Sequence, residues 1–197
     1  MPSSAPLDLV APHCDIRERL QLIPAAARVR GLYFRSLVST LKQAGKFSEY
    51  TALFPDDDWS AMELYPLSSY ILRLACAGAV FASPERVHAG MHELLRANAT
   101  AFADSLLGKT MLRLLSRDPV RLTEQALAAR RMTHVYGHWE IARHDARCIE
   151  MMYHEEYVWM ESAVAGAARG TFEACGLTPS LETRLKDRFN GSTIVRW

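Results

Sequence analysis

The sequence has little of what usually betrays a chemistry. Its charge is almost cancelled, with 23 Lys and Arg against 22 Asp and Glu and a net charge of +1. No strong field therefore draws nucleic acid or an anionic membrane, and neither is expected as a partner. Arg113, Arg117 and Arg121 make a basic line, but arginines at four-residue spacing read as one solvated helix face. The four cysteines, Cys14, Cys76, Cys148 and Cys175, are scattered and form no CxxC pair, which argues against a zinc knuckle or a redox motif. The most apolar run, residues 71–82, is too short to span a bilayer and carries Arg73. The opening MPSSAPLDLVAP lacks a basic segment followed by an apolar core, so no secretory signal is read there and a cytoplasmic protein is expected. A G-x-S-x-G elbow, a P-loop, a dinucleotide glycine pattern and a metal-hydrolase signature are all missing, so an enzyme is not expected.

What remains is an ordinary globular composition, 49% hydrophobic and 23% charged over 197 residues, enough for a single domain with a proper core. Residues 1–24 hold four prolines and read as an arm or loosely docked tail. The rest, 25–197, reads as one α+β domain with a helical part at 28–130 and a strand-rich part at 131–197. From Arg28 the apolar residues Val29, Leu32, Tyr33, Leu37 and Leu41 recur at helical spacing, with Gly45 as the stop. A short helix follows around 48–54. The acidic triplet 56–58 reads as a helix cap rather than a cation site.

Tyr65-Pro66 opens the most hydrophobic helix, 67–81, whose Ala75, Ala77, Gly78 and Ala79 leave it thin-sided. Ser83-Pro84-Glu85 starts the next, with a hydroxyl cap, proline in the first turn and an acid beside it. His88 and His92 lie four apart on that helix. This is the spacing of the HExxH motif, but Ala89 stands where its catalytic Glu would be. They are candidates for lining a pocket, or are histidines hydrogen-bonded at a core edge. Further helices are expected at 106–116 and from the Asp118-Pro119 cap to about 130.

At 133–142 the pattern changes to alternation, with Val135, Gly137, Trp139 and Ile141 against His134, Tyr136, His138 and Glu140. The return run is 147–155, with His144-Asp145-Ala146 as the loop. An odd loop keeps carboxylates off the buried side and sets Trp139 and Ile141 with Ile149, Met151 and Tyr153. His134, His138, Glu140, Cys148, Glu150 and His154 then share the other face. These are metal-ligating types, but no closed ligand spacing is present and no metal is assigned; a wet or partner-covered sheet face is the alternative. Helical spacing returns at 156–175, with Gly166 and Gly170 forming a small-residue ridge and Gly176 as the left-handed cap. Two strands end the chain, 181–189 and the closing STIVRW. A turn at 190–192 pairs Leu185 with Trp197.

The order of elements, helices and then strand-strand-helix-strand-strand, defines an α+β fold: an N-terminal helical bundle packed on a C-terminal antiparallel ββαββ sheet unit. RGLYFRSL (30–37), YPLSSYILRLA (65–75), SPERVHAGMHELL (83–95), VYGHWEI (135–141), GAARGTFEACG (166–176) and STIVRW together resemble a paralogous family of uncharacterised domains expanded in myxobacteria. That family is distantly similar to a superfamily holding the haem-NO-binding domains, the four-vinyl-reductase ligand domains and the TRAPP subunits. The resemblance implies helices and a ββαββ sheet enclosing an apolar space. Haem domains of this kind carry Tyr-x-Ser-x-Arg; the nearest match, 136–140, lacks the Ser and the Arg, and no cofactor is expected. The functional expectation is a non-enzymatic sensory or regulatory module binding a small apolar ligand between helices and sheet, with His88, His92, Trp139, Met151 and Tyr153 as ligand-binding residues. The alternative is a homodimeric protein-interaction scaffold without ligand. The fold itself does not choose between them.

Overall fold

A computed structural model describes residues 5–55, 58–115 and 118–197. The chain forms two compact units, residues 1–94 and 95–197, so the border falls inside a helix and not at residue 130.

The first unit is built around α5 (Leu67–Phe81), which buries ten of its fifteen residues. Pro66 sets the extended entry, and the alanine run leaves room on every side. Around α5 lie α1 (Ala5–Val10), α2 (Ile16–Leu22), α3 (Leu32–Gln43) and α4 (Phe47–Leu53). The 3₁₀ turn Pro84–Arg86 leads into α6 (Val87–Asp104), which crosses α5 at two glycines. A β-carbon on Gly90 would run into the carbonyl of Gly78, and one on Gly78 would meet Met91 and the carbonyl of Val87. Only hydrogen side chains let these backbones meet.

Residues 5–24 of the expected arm are instead part of this core. Pro6, Val10 and Ile16 are buried on α1 and α2, and the Cys76 thiol donates to the Pro6 carbonyl at 3.2 Å. Pro6, Pro12 and Pro24 mislead because they lie at a helix start and in connections, where no backbone N–H is required. Residues 28–30 also differ from expectation. They form β1 (Arg28–Arg30), antiparallel to β2 (Leu64–Pro66) with Val29 opposite Tyr65. The helix begins only after Gly31, because pairing with the distant segment Leu64–Pro66 overrides the local period. Asp56 and Asp57 lie outside the described residues; at Asp58 no helix starts, and the chain passes through a turn into β2. Close by, the Arg73 guanidinium lies 4.5 Å from the Phe54 ring and 4.7 Å from the Trp59 ring, a cation held between aromatic faces.

The second unit contains the remainder of α6, then α7 (Leu106–Leu114) and α8 (Pro119–Thr133). The Asp118 carboxylate caps α8 by accepting from the backbone N–H groups of Val120 and Arg121. A two-residue strand, β3 (His134–Val135), precedes β4 (His138–Asp145) and β5 (Cys148–His154). A π-helical turn, Met160–Val164, leads into α9 (Ala165–Ala174), followed by β6 (Ser180–Leu185) and β7 (Gly191–Arg196). The four long strands form an antiparallel sheet in the order β4-β5-β7-β6. This is the ββαββ unit of the expected α+β fold.

The faces of the hairpin are as expected, but the pairing that makes them is not. Trp139 pairs with Tyr153 and Ile141 with Met151. β4 runs on through Asp145, and the Ala146-Arg147 turn is tight. A bulge between Arg143 and Asp145 absorbs the odd residue, which preserves the parity of the faces. The expected first strand is also broken. Gly137 adopts φ +45, and a β-carbon there would meet the carbonyls of His154 and Glu155. Val135, expected inside, is 53% exposed as a result.

At the other hairpin the loop is longer than expected. Leu185 pairs with Gly191, not with Trp197. The Asp187 carboxylate accepts from the backbone N–H groups of Phe189 and Asn190 at 2.8 and 2.9 Å, so 186–190 is a self-bonded loop rather than strand. Leu185 ends half exposed at its edge. β7 lies between two strands and buries Ser192, Thr193, Ile194 and Val195 in succession.

The Gly170 part of the small-residue ridge is occupied from within the chain. A β-carbon on Gly170 would touch the Arg96 carbonyl and Ala99, and the Arg96 guanidinium bonds Glu173 at 2.7 Å beside it.

Candidate functional site

In the second unit the structure brings three of the expected residues together on one face of the sheet. The Trp139 and Tyr153 rings meet edge to face at 4.9 Å, and Met151, two residues from Tyr153 on β5, is 3% exposed. The Tyr153 side chain is fully buried, yet its hydroxyl has no hydrogen-bond partner among the described residues. Thr193 is near enough to influence its ionisation, but the Thr193 hydroxyl is engaged with Thr183 at 3.1 Å and no bond of proper geometry joins it to Tyr153. Burial pushes the phenol pKa well above its ordinary value, so it is a neutral donor at any physiological pH. An unmet buried hydroxyl costs about 1–3 kcal/mol.

His88 and His92 belong to the first unit, one turn apart on α6. Both are half-buried. The His92 Nδ1 lies 3.0 Å from the Glu93 carboxylate.

Beside Trp139 lies a buried polar cluster that the alternation pattern did not reveal. Glu156, 1% exposed, accepts from Arg130 Nη2 at 2.7 Å, Trp139 Nε1 at 2.6 Å, the Val158 N–H at 2.8 Å and the Tyr136 hydroxyl at 3.4 Å. The Arg130 guanidinium sits 4.7 Å from the Tyr136 ring and 4.8 Å from the Trp139 ring. Glu155, with φ +52, turns the chain so that Glu156 points inward. Helical periodicity alone makes Arg130 the end of one helix and Glu156 the start of the next. The signals for this pairing are a carboxylate in an apolar stretch and a Trp and Tyr that each need a partner when buried. His134 joins the edge of the cluster, its Nδ1 3.3 Å from the Arg130 carbonyl. Its pKa is pushed down to about 3 by burial and then by the Arg130 charge, so the ring is neutral.

The face of six metal-ligating residues divides accordingly. His134 turns toward Arg130, Cys148 is buried, and Glu150 is bonded to His144 at 2.9 Å. His138, Glu140 and His154 remain together on the water side of β4 and β5. Next to them a shallow groove of about 350 Å³ runs past His154, Met152, Glu150, Arg184 and Ser192.

Comparison with solved structures shows that this α+β architecture is similar in fold to H-NOX domains. The Fe(II) unliganded H-NOX protein from K. algicida matches at a TM-score of 0.62 and 14% identity, over 85% of this chain and 95% of that one. A mutant of the same protein matches at 0.64 and 13%, with the same coverage. A structure described under "Modulating Heme Redox Potential Through Protein-Induced Porphyrin Distortion" matches at 0.62 and 15%, over 85% of this chain and 99% of that one. At these identities the likeness is one of fold. The chain itself belongs to the family described as "Protein of unknown function (DUF2378)", which matches residues 23–197. No curated protein matches it in sequence.

The residues at 136–140 do not fit a haem. A haem carries two carboxylates that need cationic or hydrogen-bonding partners. Tyr136 is turned to Glu156, and Glu140 presents a carboxylate of its own, 3.3 Å from His138. The buried guanidinium nearby, Arg130, is already neutralised by Glu156.

Among the described residues no single helix is long and apolar enough to cross a membrane.

Proposed function

We propose that this chain is a non-enzymatic, cytoplasmic sensory or regulatory module that binds a small, largely apolar ligand, with Trp139, Met151 and Tyr153 at the ligand. The observation that carries this reading is the Tyr153 hydroxyl, buried and unmatched among the described residues on the sheet face that also carries Met151 and Trp139. Apolar walls with one or two placed polar groups are the usual make-up of small-molecule sites. A ligand with one acceptor atom among its carbons would satisfy that hydroxyl and lie against the Trp139 ring. The shared fold with H-NOX domains supports the reading, since one of those structures is an Fe(II) unliganded H-NOX protein and another concerns haem redox potential.

The test is native mass spectrometry of the protein isolated from cells, joined to titration with the apolar fluorophore N-phenyl-1-naphthylamine. A bound small molecule, or saturable fluorophore binding weakened in Tyr153→Phe and Met151→Ala, is the expected result. A ligand-free protein that takes up no fluorophore overturns the proposal.

A homodimeric scaffold is the second reading, and one feature favours it. On α7, Leu106 and Leu114 are 86% and 74% exposed, flanking a shallow trough with Lys109 and Arg113. Light scattering over a range of concentrations distinguishes the two, because Leu114→Glu dissociates a dimer built on that face and leaves a ligand site untouched.

A further inference from the structure

The geometry points to a divalent metal site of the zinc class on the water-facing side of the sheet, formed by His138, Glu140 and His154. It stands independently of the ligand reading, which concerns the opposite face. His138 and His154 are direct partners across β4 and β5. Their imidazoles stack with ring centroids 4.4 Å apart and planes 13° from parallel. Glu140 lies two residues along β4, on the same face by strand parity, and its Oε1 is 3.3 Å from His138 Nε2. One ligand atom from each of the three residues lies within 4.8 Å of the other two.

Bonds of about 2.0–2.1 Å around a tetrahedral ion place ligand atoms roughly 3.3 Å apart. The His138–Glu140 spacing already has that value, and rotation about the exposed His138 and Glu140 side chains brings the third ligand in. Two imidazoles and a carboxylate leave the fourth position to water, and the groove that begins at His154 gives access to it. The donors are nitrogen and oxygen without thiolate, which suits zinc, cobalt or nickel over a soft ion such as Cu(I). His138 and Glu140 are 60% and 55% exposed at the side chain, so the ion exchanges readily.

The position gives the ion a structural consequence. His138 follows Gly137 and His154 precedes Glu155, the two left-handed residues that end the hairpin ladder and direct Glu156 inward. An ion bridging His138 and His154 clips the two strands where the backbone is least regular, and it stabilises the folded state by mass action.

The experiment uses the full chain, free of any purification tag and stripped with a chelator. Zn²⁺ is titrated by calorimetry, and Co²⁺ is followed by its visible absorption, which reports the coordination number. Expected are one equivalent bound in the micromolar range and a rise in Tm with added Zn²⁺. His138→Gln and His154→Gln each lose about tenfold or more, while His144→Gln, on the same face but outside the cluster, binds as before. Circular dichroism identifies any variant that has not folded, and Glu140→Gln, at an exposed position, supplies a further measurement. The proposal is overturned by an absence of stoichiometric binding at 100-fold excess over protein on the order of micromolar, or by binding that survives both histidine substitutions.

Discussion

Replacing Glu156 by Leu removes the acceptor of a buried ion pair while keeping an apolar side chain of similar size. Arg130, 7% exposed, then loses the Glu156 carboxylate, and Trp139 Nε1 and the Val158 N–H lose their acceptor. Breaking one side of a buried pair costs about 3–5 kcal/mol, a large part of a total stability of about 5–15 kcal/mol. Removing Arg130 as well, in Arg130→Met/Glu156→Leu, takes away the buried charge. The remaining penalty is that of two unmatched N–H groups, on the order of 2–4 kcal/mol together. Arg130→Met alone leaves Glu156 with three donors and is expected to cost roughly 3 kcal/mol. The double variant therefore loses less than the sum of the singles, with a coupling of about 2 kcal/mol or more. Urea unfolding followed by far-ultraviolet circular dichroism measures all four corners. Tryptophan emission is recorded beside it, because Trp139 itself touches Glu156. If Glu156→Leu costs under about 1 kcal/mol, or if the two single losses simply add, the pair does not hold the helix end to the strand in the way described.

Other perturbations bear on separate parts of the structure. The His134 pKa is lowered in the fold, so the unfolded chain takes up a proton that the folded one refuses between pH 6.5 and about 3. Its contribution is complete above pH 6.5 and is lost as the pH falls through that window, by an amount on the order of 3–5 kcal/mol at most. The pH dependence of the urea midpoint should flatten in His134→Phe, and an unchanged profile refutes the assignment. Gly90→Ala places a methyl group against the Gly78 carbonyl and is expected to cost about 1–3 kcal/mol, read as a lower denaturation midpoint. Asp118→Ala removes the α8 cap for a loss of about 1 kcal/mol. Tyr153→Phe deletes an unmatched hydroxyl and should leave the ligand-free protein as stable as before or more so, while weakening fluorophore binding; a clear destabilisation would mean that the hydroxyl has a partner.

Local chemistry fixed much of the molecule before any folding. The limits of α5 are set by Tyr65-Pro66 at one end and Ser83-Pro84 at the other, because proline fixes φ and cannot donate. The α8 cap by Asp118 and the left-handed stop at Gly176 are equally local. The period-two pattern placed Trp139, Ile141, Met151 and Tyr153 on one face, since strand parity holds whatever the turn does. The mixed α+β class and the strand-strand-helix-strand-strand order follow from those periods alone.

Tertiary contacts decided the remainder. β1 exists because Val29 meets Tyr65, a pairing that no local window contains. The first helices pack because α5 offers thin walls, although their prolines suggest a loose arm. The bulge at Arg143 and the self-bonded loop at Asp187 moved both hairpin registers, and hydrophobic alternation does not report an inserted residue or an Asx turn. The Arg130–Glu156 pair and the His138–Glu140–His154 cluster join residues whose partners lie across a helix end or a strand. Periodicity records which side a residue faces. Which residue it meets there depends on how distant segments close on one another, and that is set by the packing of the whole unit.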